Sequence, residues 1–541
     1  MTHWGMVVDL GRCVGCQTCT IACKMENGLP PSTLWRTVLD LESGEYPDVN
    51  RQFLPMTCMQ CADPPCYDAC PTTATKVRPD GIVWIDNDIC IGCGSCVVAC
   101  PYRARHLISE EKYYFGEATP PELATYDRKR VGICTKCHFC YHKFDNAPEG
   151  ARPGIDPEYT PACSSSCIAD AIIFGDWDDP DSRVSRLADS NPTGLRLLEH
   201  LETKPSVVYL NPPRIEPRAP ELQQTWHGLA TANFFCGTTG MALFILGTIC
   251  GWLGTEAYAP LFELADKPGS PGVFSIGGFS MAAFNWRHLT GLLGPALVAI
   301  GLLSVAAEAG RPFRGFNVIR NFRNSWMSRE SVFAIAFIVL AGLDTLLLAS
   351  PVVQTLAGMT GLGLALCQGL ILRTAKGVPA WSVPIMPHHF AASGLASGMG
   401  AYLIVAGLFH SQILIEGISP YVVGLGLIAL NLAIWWRYLT TPPHTPTFTR
   451  SVEVLRRPSY LAGIVGLGGL LPAMLLVAGL VSAQTVPAAP ILAGAAMLTG
   501  GLIAKIALIQ KAAFWVDLFD KHEEQRAAVQ DAAPQPAAEA A

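Results

Sequence analysis

Charge is scarce in this chain. Only 15% of its 541 residues are Asp, Glu, Lys or Arg, against 50% hydrophobic residues and a mean hydropathy of +0.30. That excludes a wholly soluble protein, and the length excludes a single domain; no nucleic-acid partner is expected. The first twelve residues lack a basic stretch followed by an apolar core, so neither a signal peptide nor a twin-arginine address is expected there. Cysteine nearly vanishes after Cys167: 17 of the 20 lie at or before it, and Cys236, Cys250 and Cys367 stand singly in apolar stretches. Acidic side chains outnumber basic ones 30 to 21 up to Glu221, whereas the remainder holds 14 against 17. An acidic, cysteine-rich head thus precedes an apolar, weakly basic body.

The head's cysteines come in tight loops. Cys90-Ile91-Gly92-Cys93-Gly94-Ser95-Cys96-Val97-Val98-Ala99-Cys100-Pro101 has three cysteines at a spacing of three, a fourth four positions on, then proline. This bacterial ferredoxin run wraps three thiolates around one [4Fe–4S] cluster and sends the fourth to a neighbouring cluster. Cys58, Cys61, Cys66 and Cys70-Pro71 form a second run, and Cys13, Cys16, Cys19 and Cys23 a third, with Lys24 where proline often stands. The fourth is split: Cys137 and Cys140, then Cys163 and Cys167 after a long insertion. Cys134 is a fifth thiol in that region and reads as a spare.

Disulfides suit small secreted proteins, and no export address is expected here. Structural zinc is the more serious alternative, since paired C-x-x-C groups are zinc signatures. Zinc knuckles do not need a third cysteine three residues on, which favours iron–sulfur.

These runs, with Phe174-Gly175-Asp176 near Asp178-Asp179-Pro180, resemble the four-cluster subunit of the dimethyl sulfoxide reductase family of molybdenum enzymes, from about Val7 to Asn211. The resemblance implies two ferredoxin-like halves. One cluster would use Cys13, Cys16, Cys19 and Cys167, and its mate Cys137, Cys140, Cys163 and Cys23. In the middle pair, Cys58, Cys61 and Cys66 would join Cys100, and Cys90, Cys93 and Cys96 would join Cys70. Ile168 follows the last ligand where that family often has proline.

Lys204 to Leu210 reads as a final strand closing the head, and Pro212, Pro213, Pro217 and Pro220 make an extended connector. A membrane-crossing helix needs roughly 20 mostly apolar residues. Eight such runs fall near 230–252, 288–308, 331–350, 352–372, 390–410, 420–437, 460–482 and 488–509, and only Ser350-Pro351 separates the third from the fourth, so a tight hairpin is required. The Ala- and Pro-rich tail from Asp531 reads as disordered.

With eight spans, the loops on the head's side carry Arg311, Arg314, Arg320, Arg323, Arg329, Arg373, Lys376, Arg437, Arg450, Arg456 and Arg457. The opposite loops offer little beyond Lys267 and Arg287, with Glu256, Glu263, Asp266 and Glu416. The positive-inside rule therefore predicts a bacterial inner (plasma) membrane protein whose head and C-terminus face the cytoplasm.

Gly310-Arg311-Pro312-Phe313-Arg314-Gly315-Phe316-Asn317, Ser325 to Glu330, and Val378-Pro379-Ala380-Trp381 resemble loops of the dimethyl sulfoxide reductase membrane anchor. That resemblance associates the positions of Glu308 and Glu330 with quinol binding; Glu330 matches, whereas Glu308 stands where the anchor has histidine. Independently, a carboxylate at the end of a span is costly unless paired or wet, which makes it a functional candidate. Glu308, Glu330, Arg311 and Arg314, with His227 at the start of the first span, are the expected quinone residues, against the alternative of an interfacial charge cluster. Asp344, Lys505, Gln368 and Asn431 interrupt the spans and read as interhelical contacts rather than a proton path. Haem between His288 and His410 is a weaker alternative.

The expectation is an α+β ferredoxin-like head of two bis-cluster halves followed by an all-α eight-helix transmembrane domain. Residues 1–211 form the head, 212–226 the connector, 227–510 the anchor and 511–541 the tail. No pterin-binding domain is present, so the resemblance implies a molybdopterin-containing catalytic subunit docked on the head. Four [4Fe–4S] clusters would connect it to ubiquinone or menaquinone in the membrane pool. Sulfite oxidation is the favoured reaction, with a dimethyl sulfoxide or other oxyanion reductase next; a redox-driven ion pump and a structural anchor with a redox sensor are the remaining alternatives.

Overall fold

The computed structural model describes residues 2–31, 33–192, 194–212, 221–253, 275–276, 279–280, 286–348, 350–409, 418–442, 444–481 and 488–518. Most of the connector, the loop with Glu256, Glu263, Asp266 and Lys267, His410, Glu416 and the chain from 519 on lie outside the described residues, as does the side chain of Arg287. The first residues of the expected tail are instead packed in, with the Trp515 and Val516 amides donating to the Glu221 (2.8 Å) and Gly377 (2.9 Å) carbonyls.

The head is organised on a three-stranded sheet. Strand β1 (Trp4–Asp9) lies between β2 (Ile172–Asp176), antiparallel to it, and β3 (Val207–Leu210), parallel to it. The central run Met6-Val7-Val8 is completely buried, as expected for a strand covered on both faces. Met6 sits opposite Phe174 and Val7 opposite Val208, so the two ends of the head are joined in one sheet. Around it, the cysteine loops turn into short helices, Thr18–Glu26, Ser95–Ala99 and Tyr141–Asp145. Each starts after a residue in the left-handed region, Gln17 (φ 63°), Gly94 (φ 73°) and Cys140 (φ 52°), which bends the chain sharply enough for its cysteines to converge.

Among the described residues, eight helices long and apolar enough to cross a membrane follow: Gly228–Cys250, His288–Glu308, Trp326–Leu348, Pro351–Arg373, Met386–Leu408, Pro420–Leu439, Pro458–Val481 and Ala489–Lys511. The third and fourth pack as an antiparallel hairpin, with Gly361 against Phe337 and Gly363 against Phe333. Its tip is fixed by Asp344, whose Oδ1 accepts the Ser350 amide at 2.8 Å. This gives one of the interrupting polar residues a structural role.

Head and anchor share a single core. Buried Cys66, Cys70, Cys90 and Cys96 pack in one cluster with Trp226, Trp381, Phe390, Trp435 and Tyr438 of the membrane domain. At the seam three backbones meet without side chains. A Cβ on Gly310 would stand 2.3 Å from the Gly132 carbonyl oxygen, and one on Gly92 equally 2.3 Å from it. The loop after the second span is thereby laid against a cysteine loop, with the Arg311 amide donating to the Ile91 carbonyl at 2.9 Å.

Candidate functional site: cysteine quartets and a buried carboxylate

The structure gathers sixteen cysteines into four groups. Cys13, Cys16, Cys19 and Cys167 close around one small cavity, and Cys70, Cys90, Cys93 and Cys96 around another. Cys23 lies among Cys137, Cys140 and Cys163, and Cys61 among Cys58, Cys66 and Cys100. Cys134 does not join its sequence neighbours Cys137 and Cys140. It packs beside the Cys70 group and hydrogen-bonds Cys90 and Cys96, because its short strand Cys134–Thr135 pairs with His106–Leu107 in the other half of the head.

These donor sets fit iron–sulfur clusters better than single ions. Among the described residues, no three His, Cys, Asp or Glu side chains converge tightly enough for one metal ion. Sulfurs bound to a single zinc must all approach within about 2.3 Å of it, whereas a cubane spreads its four thiolates apart. Backbone amides are already aimed at the sulfurs: Ala171 donates to Cys167 Sγ (3.2 Å), Thr75 to Cys70 Sγ (3.4 Å) and Phe139 to Cys137 Sγ (3.4 Å). Burial pushes the Cys100 and Cys140 thiols up to about 12, so binding a cluster must displace their protons. Cys96 moves the other way, to about 6, chiefly through its hydrogen bond with Cys134 and then through the charge of Arg105.

The Cys70 group is seated directly on the membrane domain. Asn321 Nδ2 donates to the Cys70 carbonyl (2.8 Å), its backbone amide to the Pro71 carbonyl (3.1 Å), and Ser328 Oγ also to Pro71 (3.0 Å). On the other side Trp226 Nε1 donates to the Cys93 carbonyl at 3.1 Å, while its ring stacks on Trp381 at 5.8 Å and meets Phe234 edge-on at 6.1 Å.

One turn into the third span, Glu330 is almost fully buried. Its Oε1 accepts from Asn233 Nδ2 and from Gln368 Nε2, both at 2.9 Å, tying the first, third and fourth spans together. Gln368 Oε1 is buried with no partner among the described residues. Glu308 receives the His227 amide on Oε1 (3.1 Å), and its Oε2 is buried with no partner among the described residues; the His227 side chain itself is exposed. Arg311 and Arg314 are not drawn to these carboxylates. Arg311 donates to the Val131 carbonyl (2.8 and 3.0 Å) and the Lys129 carbonyl (3.1 Å), and Arg314 to those of Asn87 (2.7 Å) and Cys90 (3.3 Å), so both fasten the loop to the head.

Asn233 escaped sequence reasoning, since one Asn in an apolar run looks like any tolerated polar residue, and Gln368 read only as a helix contact. Arg36 and Arg105, buried beside the quartets, also escaped notice; nothing in Leu34-Trp35-Arg36-Thr37 signals burial of its charge.

Comparison with known proteins agrees with this geometry. A 4Fe-4S dicluster domain family matches residues 49–115, and the DMSO reductase anchor subunit (DmsC) family matches 287–390. The head is 41% identical over 224 residues to one subunit of the selenate reductase of Mesobacillus selenatarsenatis, covering 38% of this chain and 72% of the relative. It is 38% identical over 229 residues to the iron–sulfur cluster-binding subunit of menaquinone reductase from Nitratidesulfovibrio vulgaris (38% and 88% covered). It is 34% identical over 226 residues to one subunit of the sulfite dehydrogenase of Allochromatium vinosum (39% and 83%). The chain belongs to the dimethyl sulfoxide reductase-type iron–sulfur subunits of molybdoenzymes, and in the same polypeptide residues 287–390 match the membrane anchor subunit family.

Proposed function

We propose that this chain carries single electrons through four [4Fe–4S] clusters between a molybdopterin catalytic subunit and quinone bound beside Glu330. The observation that carries the reading is the seating of the Cys70, Cys90, Cys93 and Cys96 group on the anchor, one shared core away from the Glu330, Asn233 and Gln368 triad. The cluster held there supplies a one-electron carrier whose potential the surrounding charge and hydrogen bonds tune.

At the far end, Cys16 is exposed and Cys13 and Cys167 are half-buried. Around them Val14, Ile21, Met25 and Ile168 are all more than half exposed, an apolar rim suited to docking the catalytic subunit. At the near end a cleft of about 1250 Å³ opens between head and anchor, lined among others by Asp68, Ser95, Trp326, Met327, Ile371 and Lys376. Met327 lies one turn before Glu330 and Ile371 one turn after Gln368, a neighbourhood that supports the cleft as the approach for the quinone ring. Glu330 holds a quinone oxygen through a shared proton, Asn233 and Gln368 fix that carboxylate, and Glu308, held by the His227 amide, lies at the end of the second span rather than in the cleft's lining. Arg311 and Arg314 hold the loop that presents Cys90.

The basic loops support a head and C-terminus on the cytoplasmic side of the bacterial inner membrane. A catalytic subunit on a cytoplasmic head suits sulfite oxidation with quinone as acceptor, and the Allochromatium relative is named as a sulfite dehydrogenase subunit. Reduction of an oxyanion is the second reading, favoured by the selenate reductase relative. A reporter fused after Ala541 should read cytoplasmic, and membranes holding the intact complex should reduce a quinone analogue when given sulfite. A periplasmic reporter overturns the topology, and silence with sulfite but activity from quinol to selenate exchanges the first reading for the second.

A further inference from the structure

One buried guanidinium lies between the two quartets of each pair. Arg36, 1% exposed, donates from Nη2 to Cys163 Sγ at 3.2 Å and to Met6 Sδ at 3.3 Å. Its charge also acts on Cys137, in the same quartet as Cys163, and on Cys19, in the neighbouring quartet. Arg105, 3% exposed, donates from Nη2 to Cys66 Sγ at 2.9 Å and from Nη1 to Thr75 Oγ1 at 3.1 Å. It also hydrogen-bonds Cys96, so it touches one cysteine from each quartet of the middle pair.

Neither arginine is a conventional ion pair. The groups acting most strongly on each are cysteines, joined at Arg36 by Tyr209, with no carboxylate among them. Removing a cation from water costs several kcal/mol unless an anion compensates it. Nε and Nη1 of Arg36 are moreover buried with no partner among the described residues, and unmet buried donors are rare in native proteins. A thiolate-ligated cluster supplies both the negative charge and sulfur acceptors.

We propose that Arg36 and Arg105 set the reduction potentials of the two cluster pairs, each raising the potential of both clusters it lies between. The inference rests on the four-cluster reading above. When a cluster gains an electron its charge becomes more negative, and a fixed cation beside it stabilises that reduced state. Burial keeps salt from screening the effect. No proton is involved, because a guanidinium stays charged throughout. Assigning one cation to each pair lets the outer and middle pairs be tuned separately along the relay.

The test is a potentiometric titration of the purified full complex, followed by low-temperature electron spin resonance, with iron content measured on the same samples. Arg36→Met should lower the potentials of the outer pair alone and Arg105→Met those of the middle pair alone, each by at least tenfold in the reduction equilibrium, about 59 mV for one electron. Arg36→Lys and Arg105→Lys, which keep the charge, should restore most of the shift. Unchanged potentials in a fully loaded Met variant, or an equal shift in all four clusters, overturn the proposal. If a Met variant loses its iron, the Lys variant decides: retained iron at near wild-type potential supports the proposal, and loss of iron there too makes the arginine merely structural. Wild-type protein holding well under about sixteen irons sinks the four-cluster reading itself.

Discussion

The indole N–H of Trp226 donates to the carbonyl of Cys93 across 3.1 Å, joining the end of the connector to the cysteine loop seated on the anchor. Trp226 is buried, and its stacking on Trp381 continues the contact to the loop between the fourth and fifth spans. Trp226→Leu removes the donor and the stack together, leaving the Cys93 carbonyl without this partner. Quinone-linked turnover should fall about tenfold or more while reduction of the clusters by dithionite stays intact; a net loss of about 1–3 kcal/mol at the seam is the expected structural cost. Trp226→Phe should recover part of the turnover.

Cys134 separates ligand from neighbour. Although it hydrogen-bonds Cys90 and Cys96, each of the four groups already has its four thiols. Cys134→Ser should therefore retain the full iron content, whereas Cys137→Ser should lose one cluster, about four irons. Loss of iron in the Cys134 variant would make it a ligand of the Cys70 group.

The glycine seam predicts a steric defect. Gly310→Ala places a methyl group 2.3 Å from the Gly132 carbonyl oxygen. The backbones must part, at a cost on the order of 1–3 kcal/mol, and the anchor loop should become protease-sensitive around Arg311. Gly315→Ala, with open space at its Cβ, should have no such effect and serves as the control.

Cluster insertion should depend on pH with a definite sign. The Cys100 and Cys140 thiols, raised to about 12 by burial, are protonated in the empty protein near neutral pH, and the ligand is the thiolate. Below their pKa the thiolate fraction rises tenfold for each pH unit. Reconstitution of iron-free protein should therefore accelerate between pH 7 and pH 9, as judged from growth of the cluster's visible absorption; a flat profile would mean that proton release does not limit assembly.

The cysteine runs were legible in the sequence because cluster ligation is local: a loop of three thiols needs fixed spacing, and glycines such as Gly94 supply the turn. The eight spans were legible for the same reason, through length and hydropathy. What sequence could not supply were meetings between distant segments. Asn233, Glu330 and Gln368 come from three spans, and only packing brings them together. Arg311 and Arg314 had the composition of a quinone clamp, but the close approach of Gly92, Gly132 and Gly310 turns them onto head carbonyls instead. Arg36 and Arg105 look like ordinary surface charges until the fold buries them.

The passage of electrons between quinone and the clusters is tested most directly by mixing the oxidised complex with excess quinol and following cluster reduction by rapid-freeze spin resonance, in wild type and Glu330→Gln. In wild type, quinol should reduce the clusters it can reach, and a quinone-site inhibitor should block the reaction. In Glu330→Gln this phase should slow by about tenfold or more, about 1.4 kcal/mol of lost transition-state stabilisation, while dithionite still reduces every cluster. Reduction by quinol at the wild-type rate in the variant would contradict a quinone site at Glu330. Failure of quinol to reduce any cluster in wild type, together with failure of quinone to reoxidise the dithionite-reduced clusters, would contradict the relay.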